Sequence, residues 1–413
     1  MKRVAHLITL GLLISFGAAS AQTNISMWHH QAGEPEQSVF KAQVVAFNAS
    51  QTRHRVVEQN IPQGSYTTAV TSAALSKTLP CLVDMDQPDL PNYAWAGYLQ
   101  PLNLPASVTA GLLPTALGKY NGKVYAVSQI DQALALYARR SALQQAGVRI
   151  PTVTRPWNKT EFEGVLAKLS KLGGKYKYAI DLRNFDKGAD WWGYGYSPML
   201  QSFGADLINR RDFQSAQGVL NNDKAVQFGE WFQSLFTKGY AEKNPAGPAF
   251  PAGTVPLAYE GSWAAADWKK TWGNDLLILP PPDLGSGPKI GSGSWGFGIS
   301  AACANPDGAR AFITFLSAPR QVAQMSVATG AIPVSDAAAA LTVNYKPGGQ
   351  FRAFLDFARR YAVPRPPTPA WPTIKTNFQK AMSDIVNGAN VEASLDNAVQ
   401  SIDQNIKDNK GYK

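Results

Sequence analysis

The chain reads as an α/β protein of two or three domains, and three observations carry that expectation. Strand-like and helix-like segments alternate from Asn24 to Met85, the pattern that builds a sheet of parallel strands covered by helices. The composition, 45% hydrophobic and 16% charged, belongs to a globular chain rather than a disordered one. A length of 413 residues is enough to bury more than one core.

Taken in order, the N-terminus MKRVAHLITLGLLISFGAASAQT opens with Lys2 and Arg3 and runs apolar from Leu7 to Phe16. It ends in Ala19-Ser20-Ala21 before Gln22. A basic start, a short apolar run and a small-residue cleavage pattern make a secretory signal peptide over residues 1–21, too short for a membrane span. No cysteine follows the apolar run, so the expected product is a free protein in an oxidising envelope compartment. Removing Lys2 and Arg3 takes the formal charge from +10 to 10 − 2 = +8.

Asn24–Trp28 then reads as a first strand, Val39–Phe47 as helix, Arg55–Gln59 as a second strand and Pro62–Leu75 as helix. Cys81–Met85 is an apolar strand running into acids. Ligands of such sheets bind at the carboxyl ends of the strands, here the loops HHQAGEPE, PQGSY and DQPDL. Val124–Tyr137 is a long extended run with a polar break at Gln129–Gln132, a plausible crossing between lobes. From Ser141 to Trp272 the pattern is mostly helical, with loops rich in Trp, Gly and Pro. Leu279–Gly293 is a Pro/Gly connector, and the strand SWGFGIS follows. Asn305 and Pro306 sign a helix start, with Ala309, Phe312, Ile313 and Leu316 on one face. Two more amphipathic helices close the chain, one carrying Phe378, Ala381, Met382 and Ile385, the other Leu395, Ala398, Val399 and Ile402. The turn Asn387-Gly388 separates them.

Several chemistries fail on context. Gly291-Ser-Gly293-Ser-Trp-Gly296 matches a dinucleotide fingerprint, but a connector precedes it and a strand follows, where a strand and then a helix are needed. The same stretch misses the nucleophile-elbow motif at its first position. His29 and His30 are neighbours at a strand end and point to opposite faces, so no metal site is expected, and no cofactor. Basic residues cluster only as dipeptides such as Arg139-Arg140 and Lys269-Lys270, without the stripe that nucleic acid requires. Two cysteines, Cys81 and Cys303, remain. An even count in an exported chain favours a disulfide over two separate buried thiols.

The aromatic residues carry the strongest signal. Eleven Trp are present, and several sit beside Gly, Pro or acids instead of in periodic apolar stripes. They are Trp191 and Trp192 in ADWWGYGYSP, Trp263 in YEGSW, Trp295 in GSGSW and Trp371 in TPAWPT. A sugar ring offers apolar C–H faces and a rim of hydroxyls. Flat indoles cover the faces, while carboxylates, amides and Arg bind the rim. The enzymatic alternative is a glycosidase with two cleft carboxylates, drawn from Asp84, Asp86, Asp131, Asp190 and Glu260.

The stretches ISMWHHQAGEPE, LPCLVDMDQPDLPNYAWAGYLQPL, KYNGKVYAVSQIDQALALYARRSALQQAGV, DWWGYGYSPMLQSFGADLI, AYEGSW, SWGFGISAACANPDGARAFITFL, TGAIPV and VPRPPTPAWPTI resemble extracellular solute-binding proteins of sugar ABC transporters. This is the group that includes maltose-binding protein. The resemblance spans the mature chain in order and implies a two-lobed periplasmic-binding-protein fold with a hinge and an interlobe ligand cleft. Residues 22–131 plus 295–345 would form the first lobe, and 132–294 plus 346–413 the second. Crossings would fall near Asp131–Leu136, near Ile290–Trp295 and after Pro333.

The implied role is a periplasmic, monomeric, non-enzymatic receptor that binds a mono- or disaccharide and hands it to an inner-membrane permease. A sugar-phosphate or glycerophosphodiester receptor is the variant. The ligand residues implied are Glu34, Asp86, Asp131, Trp191, Trp192, Trp263, Ser294, Trp295 and Arg365. The cysteine pair, absent from maltose-binding protein, points to a disulfide within the first lobe.

Overall fold

The computed structural model of the chain describes residues 22–31 and 33–413, so the signal-peptide segment lies outside the described residues. Alternation of strand and helix builds the first lobe. The strands are β1 (Thr23–Gln31), β2 (His54–Pro62), β3 (Leu82–Asp86), β4 (Leu99–Gln100), β5 (Leu117–Tyr120) and β6 (Lys123–Val127). Helices Glu34–Ser50 and Gln63–Leu75 connect the first three. β1 lies between β2 and β3 and parallel to both.

The sheet is mixed rather than parallel. Its order is β2-β1-β3-β13-β6-β5, and β13 (Trp295–Ser300) runs antiparallel to β3 and β6. β13 returns from the other lobe and enters at the cleft end, so it runs opposite to strands that end there. Trp295 thereby pairs with Asp86 at the mouth of the sheet. Phe40, Val44, Phe47, Ile25, Met27 and Phe312 fill one face of this sheet, and Tyr66, Val70, Leu90 and Tyr93 the other.

A second sheet has the order β11-β8-β10-β9, from β8 (Leu134–Arg139), β9 (Ile180–Asp181), β10 (Leu257–Gly261) and β11 (Leu276–Leu279). The short β9 and β10 stand within the region expected to be mostly helical, where their apolar runs are too brief to show a period of two. Around them pack Trp157, Phe162, Leu166, Phe228 and Phe232, together with the C-terminal helices Trp371–Val386 and Val391–Asp408. Phe378, Ala381, Met382 and Ile385 are buried against Leu395, Ala398, Val399 and Ile402. Ala339 and Tyr345 also enter this larger core.

Three strand segments connect the lobes. β7 (Ile130–Asp131) follows β6 and pairs antiparallel with β14 (Ile332–Pro333). β12 (Ile290–Gly291) precedes β13, and Ser292 bridges to Ala133. β12 also pairs with β15 (Ala362–Val363). The helix Pro306–Leu316 starts as its sequence dictates: the Asn305 side chain accepts from the Gly308 N–H, and Ala309, Phe312, Ile313 and Leu316 are buried. Cys81 and Cys303 form a disulfide that ties β3 to the segment before this helix. Among the described residues, no helix is long and apolar enough to cross a membrane.

Candidate functional site

Between the lobes lies a cavity of about 470 Å³, whose walls come from the carboxyl ends of first-lobe strands and from turns of the second lobe. The first lobe contributes His30, at the end of β1, and Glu36, on the first turn of the following helix. Asp86 comes from the end of β3, and Gly293, Ser294 and Trp295 from the entry to β13. The second lobe contributes Arg183, Asp186, Asp190, Trp191, Tyr194 and Trp263. Ile130 and Gln132 form part of the hinge floor, and Arg365 enters from the C-terminal segment.

Aromatic faces alternate with ion pairs around this cavity. The Trp295 ring stacks on His30 at 4.0 Å, and the His30 Nδ1–H donates to the Asp84 carboxylate at 2.6 Å. Burial opposes the charged imidazole, but Asp84 outweighs it, and the His30 pKa is raised. Burial raises the Glu36 carboxyl, with His30 opposing. Arg365 donates two 2.8 Å bonds to Asp86, and both side chains are largely buried, 7% and 15% exposed. The Tyr194 ring lies 5.1 Å beneath that guanidinium, and its hydroxyl donates to the Gln132 carbonyl.

On the facing wall Arg183 donates to Glu260 at 2.7 Å and stands 3.5 Å from Asp186. Its guanidinium lies over Trp191 and Trp263 at 5.1 and 5.7 Å. Burial raises the Glu260 carboxyl, partly offset by Arg183. The wall therefore presents indole surface beside hydrogen-bonding groups whose charges are already paired.

The segment Asp190–Pro198 is helical. A short helix, Ala189–Trp191, opens into a wide turn over Trp192–Tyr196 and continues as the helix Ser197–Phe203. The Ser197 hydroxyl donates to the Gly193 carbonyl freed by the widened turn. The two glycines make room for rings rather than for flexion. A Cβ on Gly195 would stand 2.9 Å from the Trp191 ring, and one on Gly193 2.9 Å from the Trp371 ring.

Six of the nine residues expected from the sequence line the cavity together: Asp86, Trp191, Trp263, Ser294, Trp295 and Arg365. Three stand elsewhere. Glu34 is exposed and accepts from the Ser38 hydroxyl. Glu36, two residues on, faces the cavity, because helical side chains two apart lie on nearly opposite sides. Trp192 is 2% exposed and donates from its ring nitrogen to the Asp186 carbonyl. Adjacent helical residues diverge by about 100°, so Trp191 takes the cleft and Trp192 the core.

Asp131 is wholly buried in the hinge. Its carboxylate accepts from the Thr115 and Ser292 hydroxyls and from the Gly293 and Gln132 N–H groups, at 2.6 to 2.9 Å. Burial raises its carboxyl, and those four donors pull it back. His30, Glu36, Arg183, Gln132 and Tyr194 were missed by sequence reasoning. Only the strand-end loop HHQAGEPE signalled the first two. Among the described residues, no group of three or more His, Cys, Asp or Glu side chains is placed to hold a metal.

A two-lobed α/β chain with an aromatic, polar-rimmed cavity between its lobes defines a hinged ligand receptor. Residues 42–353 match the family described as bacterial extracellular solute-binding protein. The chain belongs to that family.

Solved structures share the fold over nearly the whole chain. The cyclic α-maltosyl-1,6-maltose binding protein of Arthrobacter globiformis has a TM-score of 0.80 and 22% identity, covering 94% of this chain and all of its own. The GacH receptor of Streptomyces glaucescens, solved unliganded and with acarbose, has a TM-score of 0.77 and 23% identity, covering 95% of this chain and all of its own. An extracellular solute-binding protein of Staphylococcus aureus, solved with maltose, has a TM-score of 0.74 and 20% identity, covering 93% and 98%. An uncharacterised lipoprotein of Streptomyces antibioticus, from the oleD 5′ region, is 25% identical over 261 residues, 59% of this chain. The match spans just over half of that relative, 56% of its length.

Proposed function

We propose that this protein is the carbohydrate receptor of an ABC importer. It binds an uncharged mono- or disaccharide between its lobes and delivers it, as a periplasmic monomer, to an inner-membrane permease. One observation carries the reading: Trp191, Tyr194, Trp263 and Trp295 wall a single cavity with the Asp86–Arg365 and Arg183–Glu260 pairs at its margin. Rings of that kind cover the faces of a pyranose, and paired charges bond its hydroxyls without demanding a net charge from the ligand.

The cited solved neighbours are described with saccharide ligands, which supports the same class. The first lobe is assigned to residues 22–131 plus 295–345 and the second to 132–294 plus 346–413, with Ala339 and Tyr345 reaching across into the larger core. The ligand contacts are assigned to Asp86, Trp191, Trp263, Ser294, Trp295 and Arg365, joined by Glu36, Arg183 and Tyr194. Closure follows because only a closed cleft lets a sugar touch both sets of groups.

A phosphorylated ligand is disfavoured by the same geometry. Arg365 and Arg183 are each held by a carboxylate, and Asp186, Asp190 and Glu36 also line the cavity. A glycosidase needs two carboxylates free to exchange protons, yet each candidate acid is engaged. Asp84 holds His30, Asp86 holds Arg365, Asp190 holds Lys375, and Glu260 holds Arg183. Asp131 is tied into the hinge. Calorimetry with a panel of neutral sugars and their phosphates tests the proposal, with heat expected from a neutral member. Silence from every sugar at millimolar concentration would overturn it, and so would release of reducing ends from an oligosaccharide.

A further inference from the structure

The segment Asp86–Trp95, DQPDLPNYAW, joins the first lobe to the second along one line of side chains. It runs from the end of β3 through a tight turn at Gln87–Asp89 into the helix Leu90–Trp95. Leu90 and Tyr93 are buried in the core of the first lobe. Asp86, Asp89, Asn92 and Trp95, spaced three apart, all turn the other way. Each meets a residue of the C-terminal part of the chain. Asp86 holds Arg365, and Asp89 accepts from Lys375 at 3.0 and 3.3 Å. The Asn92 amide donates to the Pro369 carbonyl, and the Trp95 ring meets the edge of Tyr412 at 4.9 Å. Residues three apart fall on one face both in the tight turn at Gln87–Asp89 and in the α-helix Leu90–Trp95 that follows.

Lys375 is the member with partners on both sides. It stands on the helix Trp371–Val386, whose Trp371, Ile374 and Phe378 are buried in the second-lobe core. Its ammonium donates to Asp89 of the first lobe and, at 2.6 Å, to Asp190. Asp190 is 62% exposed, whereas Lys375 and Asp89 are 13% and 12% exposed. Asp190 immediately precedes Trp191 and itself lines the cavity. The same ammonium thus touches the first-lobe stripe and the base of the aromatic wall. A lysine serving its own lobe alone would not need the Asp89 arm.

We propose that Lys375 is a positioning residue for the binding cleft. By sharing its charge between Asp89 and Asp190, it holds the Trp191 wall in register with the first-lobe side of the site. It does not touch the bound solute. The assignment rests on the cleft reading above, but its test needs no solute.

Nitroxide labels at Lys41→Cys and Lys238→Cys, both exposed and on opposite lobes, report the interlobe distance in the full, ligand-free, disulfide-bonded chain. In Lys375→Met the population at longer distances rises by roughly fivefold or more, the lower end of ordinary intersite coupling. Lys375→Arg restores the parent distribution, since it can reach both carboxylates. Asp190→Asn, at an exposed position where folding is not at stake, shifts the distribution in the same direction. Combined with Lys375→Met, it adds nothing further. An unchanged distribution in Lys375→Met, or failure of Lys375→Arg to restore it, overturns the proposal. Failure of the sugar reading looks different: no saccharide gives heat, whatever these distances do.

Discussion

Replacing Asp131 by Ala distinguishes a hinge fastener from a ligand contact. The carboxylate is fully buried and accepts four hydrogen bonds from three separate segments of the hinge region: Thr115, Gln132, and the pair Ser292 and Gly293. Truncation strands those donors. The Thr115 hydroxyl can turn to water and the part-buried Gln132 N–H can be reached by it, but Ser292 is 2% exposed, and the Gly293 N–H bond to Asp131 is itself buried. A buried donor left without a partner costs about 1–3 kcal/mol. Two of them put the loss near 4 kcal/mol, a large share of the stability of a typical domain.

Asp131→Asn keeps one acceptor oxygen but turns an NH₂ towards donors, so it is expected to lose about half as much. Urea unfolding of the ligand-free protein, followed by circular dichroism, reads both values. A loss below about 1 kcal/mol for Asp131→Ala, together with a large fall in sugar affinity, would refute this reasoning. That result would return Asp131 to the ligand-contact role that the family resemblance implied.

Trp192→Ala should cost about 3–5 kcal/mol of stability as a core truncation. Trp263→Ala should leave the melting temperature of the ligand-free protein nearly unchanged and weaken binding of whichever neutral sugar gives heat by at least about tenfold, or about 1.4 kcal/mol. The reverse pattern in calorimetry and thermal melts would exchange their roles. The double variant Cys81→Ser with Cys303→Ser opens a cross-link spanning 222 residues and should lose up to about 5 kcal/mol in denaturant titrations. Equal stability with and without reductant would contradict that value.

Asp89 should make stability depend on pH. Burial, opposed by Lys375 and reinforced by Asp86 and Asp190, pushes its carboxyl up to about 6, against about 3.9 in an unfolded chain. A carboxyl with a raised folded pKa contributes stability below pH 4 that is lost as pH rises through 6, about 3 kcal/mol in all. Asp89→Asn should therefore be more stable than the parent at pH 8 by up to that amount, and no more stable at pH 4. A constant difference across that range in pH-dependent melts would show that Asp89 does not titrate there.

Much of the fold could be read from local pattern. The helix Pro306–Leu316 has its cap at Asn305 and its apolar face at the positions the period of 3.6 assigns, because capping and amphipathicity are properties of short stretches. Strands β1, β2 and β3 fall where their apolar runs stand. The antiparallel course of β13 was not legible. Direction within a sheet depends on how the chain re-enters from the other lobe, and no residue of SWGFGIS encodes that.

The cleft divides along the same line. Sequence by itself picked out five indoles next to Gly, Pro or acids; Trp191, Trp263 and Trp295 line the cavity, whereas Trp192 and Trp371 pack in the core. Of the strand-end acids it singled out, Asp86 lines the cavity. Tertiary structure alone decided between Trp191 and Trp192, and between Glu34 and Glu36, because one helical step sets which side of an element a residue faces. It alone sent Asp131 into the hinge and paired Asp86 with Arg365, 279 positions away. Contacts between residues so distant in the chain form only when two lobes pack, and packing is a property of the whole chain.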